Sequence, residues 1–179
     1  MELSEALNNR KITRHYIDKK VDKSLLDEML SAANLAPSWK NSQTPRFYVA
    51  TGEKSKNAVR EALPEFNRKN SENASAYIVT TVVLNRSGFD KDGTAVTEIG
   101  NGWGYYDLGL NNMALLLKAT ELGISTLVMG IRDGEKLRKE FDIPETEAVV
   151  SVIAVGYTDS EIVRPKRKSV EDFAKFYED

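Results

Sequence analysis

The 179-residue chain has no cysteine and only one histidine, His15. The lack of cysteine excludes disulfides, thiolate metal sites and a cysteine nucleophile. A single histidine is weak support for a transition-metal site, because such sites generally recruit several nitrogen or sulfur ligands. We therefore expect no bound metal.

The chain also lacks a charge of one dominant sign. It carries 25 basic and 27 acidic residues, a formal net charge of −2, so no overall field draws it to nucleic acid or to a membrane. The N-terminus has Glu2 and Glu5 where a signal peptide would have bases, and no apolar run approaches the length of a membrane span. We expect a cytoplasmic protein that binds neither nucleic acid nor membrane, with one domain over residues 1–179.

A polar stretch between residues 34 and 49 is unusual for a plain connector. It lies between a helical apolar spacing over 23–35 and an aromatic, β-branched segment over 46–50 that predicts a strand. Amide, hydroxyl and indole side chains fill it, and Pro37 and Pro45 limit its backbone to few shapes. A solvated loop is the simpler interpretation. The alternative is a loop that presents donors and acceptors to a planar ligand.

Two basic clusters lie far apart in the chain, at 10–14 and at 164–168. A solvated helix end and a solvated tail would explain them. The alternative is an anion site, because guanidinium groups offer forked donors that match a phosphate.

The other elements follow from periodicity. Residues 105–122 are apolar nearly all round, which is typical of a helix buried in a core or in a subunit interface, and the β-branched runs 76–84 and 149–157 predict buried strands. Residues 85–101 are polar and rich in glycine, either a loop over something or an insertion. Gly100-x-Gly102-x-Gly104 is not a dinucleotide fingerprint, because no strand directly precedes it and the third glycine is misplaced.

Several of these motifs resemble, in order, the flavin-dependent nitroreductase family. The first is Ala36-Pro37-Ser38-x-x-Asn41-x-Gln43 before an aromatic strand. Later ones are Asp107-x-Gly109-Leu110 on the long helix and the turn Ile143-Pro144-Glu145. The resemblance covers nearly the whole chain.

The resemblance implies the nitroreductase fold, an α+β arrangement of three α/β-type layers. A mixed central β-sheet would be flanked by helices, and a long buried helix would lie at the core of a homodimer. FMN would bind at the subunit interface.

The resemblance also implies a set of FMN contacts. The phosphate would bind the first basic cluster, in which Ile12 replaces the serine usual in the family, and Arg167 of the second cluster, with Lys166 and Arg164 as alternatives. The flavin ring would contact the polar loop of the other subunit, the side-chain amide of Asn67 and the turn at 128–130. A backbone N–H of this turn would face ring nitrogen N5. The implied set is Arg10, Lys11, Ile12, Arg14, Pro37, Ser38, Trp39, Asn41, Gln43, Asn67, Val128, Met129, Gly130, Lys166 and Arg167.

The implied activity is oxidoreduction. NADH or NADPH would give a hydride to the flavin and leave, and an electron-poor small molecule such as a nitroaromatic or a quinone would then take the electrons in the same pocket, with no side chain needed as acid or base. The alternatives are a flavin-dependent dehydrogenase or dehalogenase on the same scaffold, and a protein that holds flavin without turnover. Whether Trp39 or Trp103 contacts the flavin is left open by the sequence.

Overall fold

The structure, a computed structural model, describes residues 1–178. Within them the chain forms six α-helices and four β-strands, with two short 3-10 turns at Trp39–Asn41 and Val170–Asp172. In chain order the elements are α1 (Leu3–Asn9), α2 (Lys23–Asn34), β1 (Pro45–Ala50), α3 (Glu53–Glu61), α4 (Glu65–Asn70), β2 (Ala76–Val83), α5 (Gly102–Glu121), β3 (Ser125–Met129), α6 (Gly134–Glu140) and β4 (Glu147–Gly156).

The four strands form one sheet in the order β1-β2-β4-β3, and neighbouring strands are antiparallel. One parallel bridge adds to them, between Ile12 and Thr126 of β3. The sheet was predicted to be mixed, but its four strands are antiparallel throughout, and this isolated bridge is the one parallel pairing seen within residues 1–178. β1 and β3 are its two edges.

Helices cover both faces of the sheet. Because side chains alternate across a strand, Ile78 and Ile153 face α2 and α5, while Tyr77 and Val152 face α3 and α6. Full burial of an apolar side chain contributes roughly 1.5–3 kcal/mol, so the central strands are stabilised from both sides. The predicted three-layer arrangement is confirmed.

α5 is the long central helix that the sequence predicts, and it starts three residues earlier than expected, at Gly102. It ends where Gly123, in a left-handed conformation with φ +71, allows the chain to turn. Its core-facing residues include Leu108, Leu115 and Ala119. No helix among residues 1–178 has both the length and the apolar character needed to cross a membrane.

The sequence also predicts a first helix capped by Ser4 and running to about Asn9, and a last short helix over 169–177. Both details were wrong. α1 begins at Leu3 after Glu2, and no side chain caps it, so Ser4 is not its cap. The helix predicted over 169–177 is limited to the 3-10 turn Val170–Asp172. The apolar side chains that would have packed such a helix, such as Phe173 and Phe176, are 72% and 76% exposed, and so short a helix is not stable without packing.

Candidate functional site

The open edge of β3 is the first feature of the site. The chain from Arg10 onward pairs with β3 only at Ile12 and Thr126, so the edge beyond is uncovered. Val128 is exposed on it, whereas the side chain of Met129 is buried. At Gly130 no heavy atom lies within 4 Å of the position that a Cβ would take. A flat ligand could therefore approach the backbone closely at this turn.

A cluster of three arginines lies at the chain segment that borders this edge. Burial, and then the neighbouring guanidinium groups of Arg164 and Arg167, lower the pKa of Arg10. Among residues 1–178 no carboxylate forms an ion pair with any of the three; Arg164 only donates to the amide oxygen of Asn8, at 3.4 Å. Like charges held together without a counter-charge favour a bound anion. We call these three residues the arginine cluster.

The structure gives less support to the other residues that were predicted to contact the phosphate. Lys11, Arg14 and Lys166 are exposed, and none of them is among the neighbours that shift the pKa of Arg10. Ile12 is 41% exposed and brings no hydroxyl to the site.

Asn67 lies beside the turn that follows β3. It is 7% exposed, and its Nδ2 donates to the carbonyl oxygen of Ile131 at 3.2 Å. Asn67, which was predicted to contact the flavin ring, thus bonds to the residue directly after Gly130. One of its amide hydrogens holds the turn in place.

The second feature is the polar loop over residues 36–44, which we call the amide loop. Three of its non-glycine residues, Lys40, Asn41 and Gln43, have left-handed backbones with φ of 47, 55 and 49. Such conformations cost roughly 1–3 kcal/mol each and cluster at ligand-binding segments. The loop is braced from within, since the backbone N–H of Gln43 donates to Oγ of Ser38 at 3.0 Å.

The amide loop also has unused hydrogen-bonding groups. Within residues 1–178, six buried side-chain atoms lack a hydrogen-bond partner, and three of them belong to this loop: Nε1 of Trp39, Oγ of Ser42 and Oγ1 of Thr44. Buried polar atoms are normally paired. Their concentration here fits a segment that is completed by a ligand or by another chain.

The loop over residues 85–101 packs against the amide loop. Asn85 and Asn101 close its base, with Nδ2 of Asn101 donating to Oδ1 of Asn85 at 3.0 Å. Asp90 forms an ion pair of 3.4 Å with Lys40. The segment is thus a compact loop with its own hydrogen bonds, and it covers the amide loop.

One chain does not bring the two features together. The amide loop leads into β1 and the open edge belongs to β3, so the two are separated laterally by three interstrand spacings, about 14 Å. No hydrogen bond within residues 1–178 joins the amide loop to the arginine cluster or to 128–130. The predicted site residues therefore fall into two groups in space.

Sequence reasoning missed the residue that anchors the amide loop. Asp107 on α5 is 2% exposed and accepts hydrogen bonds from the backbone N–H of Trp39 at 3.1 and 3.2 Å. In the sequence Asp107 served only as part of a family pattern. The signal available was its position, a carboxylate in the first half of a largely apolar helix.

Comparisons with known proteins identify the family and the fold. The family model described as "Nitroreductase family" matches residues 7–157. A protein of Methanothermobacter thermautotrophicus, provisionally named an NADH dehydrogenase/NAD(P)H nitroreductase, is 27% identical over 88% of this chain and 78% of its own length. A protein of Archaeoglobus fulgidus with the same provisional name is 26% identical over 89% and 87%.

A solved structure is similar in fold. A protein from Exiguobacterium sibiricum 255-15, provisionally named a nitroreductase and crystallised in complex with FMN, matches with a TM-score of 0.85. It is 20% identical, and the match covers 99% of this chain and 98% of that one.

Proposed function

Because this chain belongs to the nitroreductase family, we propose that it is an FMN-dependent oxidoreductase that passes electrons from NADH or NADPH to an electron-poor small molecule. Nitroaromatics and quinones are the acceptor classes that we propose. The observation that carries the proposal is the unpaired arginine cluster beside the open edge of β3.

The two features of the site fit the two parts of FMN. The arginine cluster suits the phosphate, since each charge-assisted hydrogen bond to it contributes roughly 1.5–3 kcal/mol. The open edge at Val128 and Gly130 suits a flat ring, because the space on the Cβ side of Gly130 is open. The FMN complex of the Exiguobacterium protein, which shares this fold, supports the same cofactor.

Bound FMN would supply the chemistry, hydride acceptance from the nicotinamide and electron delivery to the acceptor. The task of this chain is to bind and orient. Asn41 and Gln43 carry amides that can donate to the ring, and fixed donors stabilise the negative charge that develops there without reorganising. The left-handed backbone of both residues supports a loop shaped for this task.

We also propose that the protein is a homodimer in which the amide loop of one chain meets the FMN held by the arginine cluster of the other. The support is the separation of these two groups within one chain, together with the unpaired atoms of the amide loop. A site completed by a second copy would account for both.

The surface of one chain offers an apolar face for this second copy. A groove of about 820 Å³ runs between α1, α2 and α5, and its rim residues Leu3 and Leu35 are 66% and 86% exposed. The tail after β4 carries Phe176 and Tyr177 with 76% and 84% of their surface exposed. Exposed apolar surface of this kind marks interaction sites.

The visible absorption spectrum of the purified protein, before and after incubation with FMN, tests the cofactor. A flavin spectrum that bleaches on anaerobic addition of NADH or NADPH and recovers on addition of a quinone or a nitroaromatic is the expected result. A protein that remains colourless after incubation with FMN would refute the proposal. A flavin spectrum that neither NADH nor NADPH bleaches would favour flavin binding without turnover.

A further inference from the structure

Asp107 is a buried carboxylate that is stabilised by hydrogen bonds and not by an ion pair. It accepts from the backbone N–H of Trp39 and from Oγ of Ser87 at 2.5 Å. No lysine, arginine or histidine within residues 1–178 forms an ion pair with it. A buried charge is costly unless its partners stay in place, so these donors are tightly constrained.

The two donors come from two different loops. Trp39 belongs to the amide loop and Ser87 to the 85–101 loop, and both bond to the same side chain of α5. The other polar link between these loops, Lys40 to Asp90, has side-chain exposures of 65% and 59%, and exposed ion pairs contribute little. Asp107 is thus the buried junction of the two loops.

The position of the anchor along the amide loop is informative. The bonded N–H belongs to Trp39, directly before the left-handed residues Lys40 and Asn41. A strained backbone persists only when surrounding contacts determine it. The turn also has bonds of its own, from the backbone N–H of Asn41 and of Gln43 to Ser38 and from that of Ser42 to Trp39. These bonds stay inside the loop, whereas the bond to Asp107 ties the loop to α5.

We propose that Asp107 is the positioning residue of the amide loop, and that it couples the shape of this loop to the 85–101 loop through Ser87. It does not touch a ligand itself. Its carboxylate fixes the loop that presents Asn41 and Gln43. The link to flavin binding rests on the function proposed above, whereas the positioning role does not.

The tryptophans give a readout that needs no flavin. The chain has two tryptophans, Trp39 and Trp103, and their ring centroids lie 4.7 Å apart at this junction. The near-ultraviolet circular dichroism of the flavin-free protein therefore reports on the junction. Far-ultraviolet circular dichroism and thermal unfolding report on the fold.

Asp107→Asn preserves volume but removes the charge. We expect it to lose most of the tryptophan near-ultraviolet signal with the far-ultraviolet spectrum kept, and to weaken FMN binding about 10-fold, as replacing charge-assisted by neutral hydrogen bonds would. Leu115→Ala is the matched control, because Leu115 is fully buried two turns further along the same helix, in a core cluster with residues of α2, β2 and β4. It should lower the unfolding temperature and leave both the tryptophan signal and the FMN affinity unchanged.

A wild-type tryptophan signal in a folded Asp107→Asn protein would overturn the positioning role, as would an equal loss in Leu115→Ala. If Asp107→Asn does not fold, Ser87→Ala decides in the same way, because it removes one donor and keeps the carboxylate. A lost tryptophan signal in a protein whose wild type takes up no FMN would uphold the positioning role and refute the proposed function.

Discussion

The indole rings of Trp39 and Trp103 pack against each other with centroids 4.7 Å apart and planes inclined by 47°. Trp103 is fixed in place, since its Nε1 donates to Oγ1 of Thr97 at 2.8 Å. A Cβ at Gly88 would lie 2.6 Å from the Trp103 ring, so no other residue fits beneath it without a shift. The indole nitrogen of Trp39, by contrast, is buried without a partner.

The sequence left open whether Trp39 or Trp103 contacts the flavin, and the structure shows that the two rings contact each other. Trp39 closes the amide loop against α5 and the 85–101 loop. Since aromatic pairs contribute roughly 0.5–1.5 kcal/mol beyond their buried area, the contact helps Asp107 hold the loop. Whether the exposed side of Trp39 also meets a ligand remains a prediction.

The arginine cluster predicts a phosphate-specific loss of affinity. Arg10→Ala should weaken FMN binding about 10- to 100-fold, because one or two charge-assisted hydrogen bonds of roughly 1.5–3 kcal/mol are lost. Riboflavin has no phosphate, so its affinity should not change. Flavin fluorescence titrations with both compounds measure the difference. Arg68→Ala, on the exposed side of α4, is the control, and an equal loss for riboflavin would show that Arg10 does not act on the phosphate.

If the apolar groove is part of the dimer interface, a single charge introduced at its rim should prevent dimer formation. Leu35 lies at the C-terminus of α2 and is 86% exposed, and a cation at a helix C-terminus does not destabilise the helix itself. Leu35→Lys should therefore give a folded monomer with reduced FMN content, because a charge buried at an interface is costly. Asn57→Lys, on α3, adds the same charge on the other side of the sheet. Sedimentation velocity distinguishes the species, and a wild-type protein that is monomeric with bound FMN would contradict the two-chain site.

The strands and the central helix could be predicted from the sequence because their signals are continuous. The β-branched runs at 76–84 and 149–157 match β2 and β4 to within two residues, and the apolar helix at 105–122 matches α5 to within three. The helix predicted over 169–177 does not form because its apolar residues, such as Phe173 and Phe176, remain exposed within residues 1–178. Local pattern does not show whether a partner exists.

The sequence could predict the kinds of residue at the candidate site but not their arrangement. The resemblance implied that Arg10 and a base of the tail share one phosphate, and Arg164 and Arg167 lie near enough to Arg10 to lower its pKa. Which tail base comes near could not be predicted, because the tail has no regular element from which a register could be read. The left-handed backbone at Lys40 was also out of reach, since lysine rarely adopts it. Tertiary contacts through Asp107 impose it.

A half-buried tyrosine predicts how stability depends on alkaline pH. Tyr48 on β1 donates to Oε2 of Glu147 at 2.9 Å, and burial, followed by the hydrogen bond and charge of Glu147, raises the pKa of Tyr48 to about 12. In the unfolded chain this pKa is about 10. The folded state thus favours the neutral phenol, and the stabilisation is complete below pH 10 and lost as the pH rises from 10 to 12.

Tyr48→Phe tests this directly. The variant should lose less stability than the wild type between pH 10 and 12, measured by urea unfolding across that range. Tyr177→Phe, whose ring is 84% exposed, should follow the wild type. Parallel curves for wild type and Tyr48→Phe would show that the Tyr48 proton is not retained in the folded state.

The backbone of Asn41 determines how the amide loop is best tested. Asn41 has φ 55, so an alanine there would strain the backbone and remove the amide at once. Asn41→Gly removes only the amide, because glycine adopts this conformation freely. Asn73, with φ 62 and on the loop before β2, allows the matched change Asn73→Gly away from the site.

If the Asn41 amide donates to the ring, it stabilises the negative charge of reduced flavin more than it stabilises the oxidised form. Its loss should cost roughly 1–3 kcal/mol of that preference, which lowers the midpoint potential by some tens of millivolts, since about 30 mV corresponds to 1.4 kcal/mol for two electrons. Spectroelectrochemical titration should therefore show a lower midpoint for Asn41→Gly and an unchanged one for Asn73→Gly, with flavin bound in both. An unchanged midpoint in flavin-loaded Asn41→Gly would mean that the side chain of Asn41 serves the shape of the loop and does not act on the cofactor.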